Sequence, residues 1–232
     1  MDKKPNSLPR RPGEHRNSAA VRERILETAF EVISKHGYSG TTMAKVASNS
    51  GLPVGSVYWH FESKDLLLAA MIDASFQRWH DEVSERNRPQ PGESFETHVR
   101  RVFGGSPGGP KFFAADFWRL GVILTVEESV PEQTARMSFL KIRELQRYEL
   151  TTWWKITLPS QTIARRPDLP ERLSAFALAL QDGNAIAGTS GESLDDFQRM
   201  LASCLIHLVA QAEQDGAEDA RAKRSRTRAP AP

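Results

Sequence analysis

Residues 41–64 read TTMAKVASNSGLPVGSVYWHFESK, and this stretch decides how the N-terminal part of the chain folds. Thr41 or Thr42 can cap a first short helix, whose apolar residues recur at i, i+3 and i+4 and so share one face. Gly51 can take the positive φ that ends this helix, and Pro53 can begin the next one with a preset φ. The pattern predicts two short helices joined by a glycine turn. Both must pack against further helices, because neither is long enough to stand alone.

The second short helix has two chemically different faces. At about 100° per residue, Val57 and Phe61 point to one side, which we expect to be buried. The opposite side and its flanks carry small, polar and aromatic residues, namely Gly55, Ser56, Tyr58, Trp59 and His60. Helix-turn-helix proteins place the N-terminal part of such a helix in the major groove of DNA, while neighbouring groups contact phosphates. The outward face therefore favours a nucleic-acid surface.

A third helix is predicted to begin after Ser63, whose side chain can cap it. Lys64 then lies in the first turn, where the helix dipole disfavours a cation. This position is consistent with a phosphate contact or with an ordinary solvated lysine, and the sequence leaves both interpretations open.

Residues 41–67 resemble the DNA-binding core of the TetR (TetR/AcrR) family of bacterial regulators. The family pattern runs from a threonine-rich helix start through a glycine turn to Gly-(Ser/Thr)-aliphatic-Tyr-x-His-Phe, and then to x-x-Lys-x-x-Leu. Here the pattern is carried by Gly51, by GSVYWHF over 55–61, and by Lys64 and Leu67. Pro53 departs from it, since the family often has a helix-capping serine or threonine there. The resemblance in motif covers residues 21–72.

The resemblance implies an all-α protein with an N-terminal three-helix helix-turn-helix module and a C-terminal helical ligand-binding and dimerisation domain. It also implies a homodimer that binds a palindromic operator in double-stranded DNA, usually as a repressor. An apolar small-molecule effector would release it. The residues expected to contact DNA are Thr42, Val54, Gly55, Ser56, Tyr58, Trp59, His60 and Lys64.

Composition and charge suggest the domain limits. We expect the helix-turn-helix domain over residues 18–70 and the ligand-binding and dimerisation domain over 71–215. The basic ends, 1–17 and 216–232, are expected to be disordered. The N-terminal segment can act as a solvating tail, or as an arm that reaches phosphates or an adjacent minor groove.

Helical periodicity continues through the C-terminal part of the chain. The predicted helices are 18–36, 64–86, 93–103, 111–128, 131–157, 171–187 and 193–214, with a loop over 159–170. The last two carry apolar stripes wider than one domain surface needs, so we expect them to pair with a second subunit. Cys204 lies in one of these stripes and is expected to be buried.

Aromatic residues are concentrated in the central helices. At helical spacing such residues usually form packed core, but the resemblance implies that some of them line an apolar ligand cavity. The residues expected there are Phe103, Phe113, Asp116, Phe117, Leu120, Trp153 and Trp154. Asp116 and Arg119 are three residues apart, which fits either a structural ion pair or a polar anchor in the pocket.

The composition argues against several other classes of protein. The 232 residues are 39% hydrophobic with a net charge of +2, as in a soluble globular protein. The single cysteine excludes an intramolecular disulfide, and the six histidines show no metal-ligand spacing. No catalytic or cofactor motif occurs. We therefore expect no enzymatic activity, no cofactor, no metal, no membrane span and a cytoplasmic location.

Two alternatives stay open. A helical ligand-binding or enzyme-like protein with a vestigial helix-turn-helix would show no salt-dependent binding to duplex DNA. An activator or nucleoid-type binder without a ligand would show little sequence preference.

Overall fold

The structure is a computed structural model, and it describes residues 12–105, 116–126, 133–187 and 193–228. Within those ranges, side chains are described for residues 18–85, 87–105, 117–126, 133–187 and 193–215. Ten α-helices cover most of these residues, and no strand occurs among them. The prediction of an all-α protein is confirmed.

The helices are α1 (Pro12–Gly40), α2 (Met43–Ser50), α3 (Val54–His60), α4 (Lys64–Arg86), α5 (Phe95–Phe103), α6 (Asp116–Val126), α7 (Gln133–Thr157), α8 (Ser160–Arg165), α9 (Leu169–Ala187) and α10 (Leu194–Arg228). Predicted and observed limits agree within two residues for α4, α5 and α9. The predicted helices over 111–128 and 131–157 correspond to α6 and α7. Their outer residues 111–115, 127–128 and 131–132 lie outside the described ranges.

The described residues divide into two compact units. The first contains residues 12–75, 116–126 and 133–139, and the second contains 76–105, 140–187 and 193–228. This division differs from the predicted domain boundary after residue 70. Both α4 and α7 contribute to each unit, and α6 belongs with the helix-turn-helix.

Close packing on α1 and α7 explains why α6 belongs to the first unit. Helix α6 contacts α1. A Cβ atom at Gly121 of α6 would overlap the ring of Phe139 on α7, so the absence of a side chain lets the two helices approach. This proximity could not be read from the helical periodicity.

The core of the first unit is formed by the apolar stripe of α1 and its neighbours. Ile25, Ala29 and Val32 of α1 are fully buried, as are Val46 of α2 and Val57 of α3. Helix α1 contacts α2, which contacts α3 in turn. The predicted three-helix packing is thus confirmed.

The start of α1 differs from the prediction. We expected a disordered arm up to residue 17, but α1 already begins at Pro12. Proline suits the first helical position, because its fixed φ is helical and its missing N–H would have no partner there. Residues 1–11 of the predicted arm lie outside the described residues. The predicted stop at Gly37 is confirmed by a φ of 68° that interrupts the helix.

Two side chains of α4 satisfy free amides at the starts of later helices in the first unit. The Asp65 carboxylate accepts hydrogen bonds from the backbone amides of Thr134 and Ala135 at 2.9 and 2.7 Å. The Ser75 hydroxyl accepts one from the amide of Phe117 at 3.1 Å. These amides have no partner inside their own helices, and a carboxylate also complements the positive end of the α7 dipole.

The second unit is built around a core contributed by α5, α7, α9 and α10. Its buried members include Val99, Phe103, Trp154, Leu158, Leu173, Ala177, Leu201, Leu205 and Val209. The Asn87 carbonyl, just after α4, accepts hydrogen bonds from His98 Nε2 at 3.0 Å and Trp153 Nε1 at 3.1 Å. The end of α4 is therefore held by α5 and α7.

Two predictions about the C-terminal part are wrong. The predicted loop over 159–170 contains α8, where Thr162 is buried and its hydroxyl donates to Glu213 Oε1 at 2.7 Å. That contact joins segments distant in sequence, so periodicity did not reveal it. The predicted disordered tail from residue 216 is instead a continuation of α10 to Arg228. Residues 217–224 (AEDARAKR) are mostly strong helix formers, which favours continuation of α10 through this segment.

An ion pair in the second unit gives a prediction about acid stability. Arg101 donates to both Glu93 oxygens at 2.8 and 2.7 Å, and this hydrogen bonding lowers the pKa of Glu93 to about 2. A carboxylate whose pKa falls on folding stabilises the protein above its unfolded pKa, and this contribution is lost as the pH falls through the folded pKa. We expect Glu93→Gln to reduce the free energy of unfolding at pH 6. The difference from wild type should shrink between about pH 4.5 and pH 2.

Urea denaturation followed by circular dichroism at several pH values measures this difference. Glu82→Gln is the matched control, because Glu82 is an exposed carboxylate on α4. A wild-type advantage over Glu93→Gln that is the same at pH 3 and at pH 6 would contradict the prediction.

Candidate functional site

The turn between α2 and α3 fixes the position of α3. Thr42 caps α2, because its hydroxyl oxygen accepts a hydrogen bond from the Lys45 amide at 3.2 Å. Gly51 ends α2 with a φ of 67°, and the Leu52 amide donates to the Ala47 carbonyl at 3.1 Å. This is the glycine stop that the sequence predicts, and it resolves the choice between the two threonines in favour of Thr42.

Helix α3 has the two faces that the sequence predicts. Val57 and Phe61 are buried at 0% and 4% exposure. On the outer side, Val54, Tyr58 and Trp59 are 48%, 49% and 62% exposed. These three side chains present apolar and aromatic surface to solvent, beyond what a folded core requires.

Gly55, on the outer face of α3, is not required by the fold of the chain. A Cβ atom built on this residue would meet no atom within 4 Å. Alanine is the better helix former at such a position. The open space leaves the α3 backbone accessible to a close approach from outside.

The ring of His60 lies edge-on to Trp59, with centroids 4.7 Å apart and an interplanar angle of 88°. Partial burial, and secondarily the positive charge of Arg22, lower the pKa of His60. The imidazole is therefore neutral at neutral pH, and α3 then carries no charged side chain.

The outer face of α3 borders a concavity of about 530 Å³ that it shares with the start of α1. The lining residues are Ser18, Val21, Leu52, Gly55, Ser56, Trp59 and His60. Sequence reasoning did not identify Ser18 and Val21 as part of this surface. No motif marks them, because only the packing of α1 brings them beside α3.

The cations around α3 make contacts with the protein itself. Arg22 lies over the Phe61 ring at 5.1 Å. Lys64 donates to the Tyr38 carbonyl at 3.2 Å, and its ammonium lies 3.8 Å from the centroid of the Tyr38 ring. Lys64 therefore ties the start of α4 to the end of α1, a role that neither sequence interpretation included.

The structure places the eight residues predicted to contact DNA on three adjacent elements. Six of them belong to α3, and the other two are Thr42 at the start of α2 and Lys64 at the start of α4. Thr42 is exposed, and Lys64 is half-buried. Their contact with DNA stays a prediction.

The residues predicted to line a ligand cavity fall in both units. In the second unit, Phe103 stacks on Trp154 with ring centroids 5.7 Å apart, and Trp153 is edge-on to both rings. In the first unit, Phe117 and Leu120 are buried. These residues pack as core, and their contact with a ligand stays a prediction.

Two of the residues predicted to line the cavity have no described side chain. Phe113 and the side chain of Asp116 lie outside the described residues, and Arg119 is exposed. The choice between an Asp116–Arg119 ion pair and a polar anchor therefore stays open.

The second unit also buries polar atoms that have no hydrogen-bond partner among the described residues. They include both amide atoms of Gln146, the indole nitrogen of Trp154, the Thr157 hydroxyl and the side-chain nitrogen of Asn184. An unpaired buried polar group costs about 1–3 kcal/mol, so such groups are usually satisfied by protein, ordered water or a ligand. Helical periodicity predicted that Gln146 lies on a helix, but it did not indicate that the side chain is a buried polar group.

Helices α9 and α10 expose apolar side chains. Phe176 and Ile186 of α9 are 37% and 60% exposed, and Met200 of α10 is 70% exposed. Cys204 is also exposed, so the prediction that it is buried is wrong. The α10 stripe is wider than the core of one chain can cover, and Met200 and Cys204 lie on its uncovered side. Gly183 of α9 resembles Gly55 of α3 in one respect. A Cβ atom built on Gly183 would meet no atom of the described residues within 4 Å.

The described part of the chain lacks two kinds of feature. No group of three or more potential metal-ligating side chains occurs among those residues. None of the helices there is long and apolar enough to cross a membrane.

Known proteins resemble the chain in its helix-turn-helix and in its fold. Residues 25–71 match the family model described as bacterial regulatory proteins, tetR family. A helix-turn-helix-type transcriptional regulator of Xanthobacter autotrophicus is 36% identical over 83 residues, which are 36% of this chain and 41% of that protein. The class D tetracycline repressor protein of Escherichia coli is 32% identical over 79 residues, 34% of each chain. The chain thus matches between a third and two-fifths of the length of these relatives.

The similarity of fold extends further along the chain. A crystal structure described as a TetR-family transcriptional regulator from Rhodococcus sp. aligns with a TM-score of 0.62 at 20% identity. The alignment covers 82% of this chain and 98% of that one. Residues 25–71 therefore carry the helix-turn-helix of the tetR family of bacterial regulatory proteins, and the fold of the chain is similar to that of a TetR-family regulator.

Proposed function

We propose that this protein is a DNA-binding transcriptional regulator whose α3 enters the major groove. The observation that carries the proposal is the outer face of α3, where Val54, Tyr58 and Trp59 are exposed on a helix held by a glycine turn. Exposed aromatic side chains on a short second helix have no role in the core, and they suit the edge of a groove.

The groups around α3 are suited to hold the duplex in register. Arg22, Lys45 and Lys64 lie on α1, α2 and α4, so positive charge surrounds the neutral helix. The hydrogen bond of Lys64 to the Tyr38 carbonyl holds this cation at the start of α4, next in sequence to α3. Contacts from such cations to phosphates orient a protein on DNA, while the central helix reads the bases.

We also propose that two copies pair through α9 and α10 and bind a palindromic operator. The uncovered apolar residues Phe176, Ile186 and Met200 supply the contact surface. Gly183 supports close approach of a partner helix, because the fold of one chain does not need a glycine there. A two-fold dimer places its recognition helices about 34–36 Å apart, which corresponds to one turn of DNA.

A small molecule that binds the second unit is proposed to release the operator, so that the protein acts as a repressor. Support comes from the aromatic cluster of Phe103, Trp153 and Trp154 and from the Gln146 amide two turns earlier on α7, which has no hydrogen-bond partner among the described residues. The ligand would be largely apolar or aromatic, with a polar group for that amide. One relative is named as a tetracycline repressor protein.

Selection of duplexes from a random pool, followed by fluorescence anisotropy, tests DNA binding. We expect Tyr58→Ala to weaken binding to the selected duplex by about 1–3 kcal/mol, because it removes a ring and a hydroxyl from the contact face. Gly55→Ala should also weaken binding, although it should leave the free energy of unfolding unchanged or raise it by up to about 1 kcal/mol.

Tyr148→Ala is the matched control, since Tyr148 is a 69% exposed tyrosine on α7. It should leave affinity at the wild-type value. Wild-type affinity in both Tyr58→Ala and Gly55→Ala would refute the assignment of α3. A wild-type protein with no salt-dependent duplex binding would favour the vestigial helix-turn-helix.

Sedimentation velocity tests the dimer. Met200→Glu is expected to convert a dimer at micromolar concentration into a monomer, because it buries a charge in the proposed interface. Ile156→Glu on α7 is the matched control, since both side chains are 70% exposed in the single chain. A monomeric wild-type protein, or equal effects of the two substitutions, would contradict the interface.

Gln146→Met tests the ligand site. In the absence of ligand it should not lower the free energy of unfolding, because it replaces a buried amide that has no partner among the described residues with an apolar side chain of similar length. It should also weaken binding of any aromatic compound that quenches tryptophan fluorescence and weakens operator binding. Gln161→Met, at an exposed position of α8, is the control. A compound that quenches but leaves operator affinity intact would indicate a pocket without a switch.

A further inference from the structure

The chemistry of α3 is unusual for a helix that reads DNA bases. Its sequence, VGSVYWH over residues 54–60, contains no Arg, Lys, Asn, Gln, Asp or Glu. Those six side chains make the most discriminating hydrogen bonds to base edges: Arg and Lys to guanine, Asn and Gln to adenine, and Asp and Glu to cytosine. If α3 reads sequence, it must do so by other contacts.

The exposed groups of α3 are mainly apolar. Val54 and Tyr58 are four residues apart and so share one side of the helix, and Trp59 adds the largest exposed surface. In the major groove, the only apolar group on an unmodified base edge is the C5-methyl of thymine. Contact between apolar groups is favourable in proportion to the area removed from water, so these side chains are complementary to that methyl group.

We infer that α3 selects its operator by packing Val54, Tyr58 and Trp59 against thymine C5-methyl groups. The inference rests on the proposed DNA binding and specifies which chemical feature of the duplex is read. The half-site beneath α3 then contains thymines whose methyl groups face the helix. Hydrogen bonds from neutral groups such as Ser56 and His60 are single rather than bidentate and add less discrimination.

Close approach of α3 is a condition for this type of contact. Carbon atoms attract each other appreciably only near 3.5–4.0 Å. Gly55 follows Val54 and precedes Tyr58 and Trp59 by about one turn. A Cβ atom built on it would meet no atom of the described residues within 4 Å. The helix backbone can therefore come near the base edges without a side chain holding it away. Cations on α1, α2 and α4, the elements that flank α3 in sequence or pack with it, are of the type that contacts phosphates.

Deoxyuridine substitution in the DNA tests the inference with unaltered protein. Replacing one thymidine by deoxyuridine removes only the methyl group and keeps every hydrogen-bonding group of the base pair. In a duplex selected with the wild-type protein, we expect about a fourfold loss of affinity for each contacted methyl group. Thymidines outside the half-site should show no loss. The protein should bind a duplex with 5-methylcytosine at a contacted position more tightly than one with cytosine there, because 5-methylcytosine restores the methyl group.

Variants of the protein identify the side chain at each methyl group. For each side chain, the relevant pair of duplexes carries thymidine or deoxyuridine at the position that the side chain contacts. Trp59→Ala and Val54→Ala should each bind the two duplexes of their own pair with equal affinity. Tyr58→Phe keeps the ring, so the penalty for deoxyuridine should persist in that variant. Tyr148→Ala should show the full wild-type penalty at every position. Circular dichroism confirms that each variant is folded.

Failure of the inference and failure of the proposed function give different results. A selected duplex that binds equally well with deoxyuridine throughout, but loses affinity when 7-deazaguanine replaces guanine, would overturn methyl recognition and leave DNA binding intact. A penalty for deoxyuridine that is unchanged in Val54→Ala, Trp59→Ala and Tyr58→Ala would also overturn it. If no duplex is enriched by selection, the proposed function itself fails, and methyl recognition with it.

Discussion

Burial of Val57 and Phe61 is the constraint on which the proposed DNA-binding surface depends. A seven-residue helix makes too few hydrogen bonds to persist alone, so α3 exists because one face is packed inside the first unit. At 100° per residue, this packing leaves Val54, Tyr58 and Trp59 on the outside. The same constraint therefore stabilises α3 and decides which of its side chains meet a partner.

Helix α4 makes polar contacts in each unit, and in the first unit its side chains Leu67, Leu68, Met71 and Ile72 are also fully buried. In the first unit, Lys64 bonds the Tyr38 carbonyl and Asp65 receives two amides of α7. In the second unit, the carbonyl of Asn87 that follows α4 accepts bonds from His98 and Trp153. Each such bond contributes on the order of 1 kcal/mol, a size that ligand binding can offset. Helix α4 is thus a suitable route for the coupling we propose between ligand and operator.

The proposed functional surfaces coincide with positions where the chain departs from what its own fold requires. Gly55 and Gly183 lie in helices, where alanine would be more stable, and no neighbouring atom requires a glycine at either position. Gln146 is buried, and its amide atoms have no partner among the described residues. Departures of this kind cost stability, and real proteins show them at functional sites. The three positions lie in the surfaces that we propose for DNA, a second subunit and a ligand.

The sequence alone determined the local structure and the two faces of α3. The Gly51 stop, a threonine cap at 41 or 42 and the spacing of Val57 and Phe61 act within a few residues of one another, so capping rules and helical periodicity were sufficient to predict them. The structure then identified Thr42 as the cap. The tertiary structure decided the contact of Lys64 with Tyr38, the capping of α7 by Asp65, the membership of α6 in the first unit and the exposure of Cys204. These depend on which helices become neighbours, and neighbours far apart in sequence leave no periodic signal in a single chain.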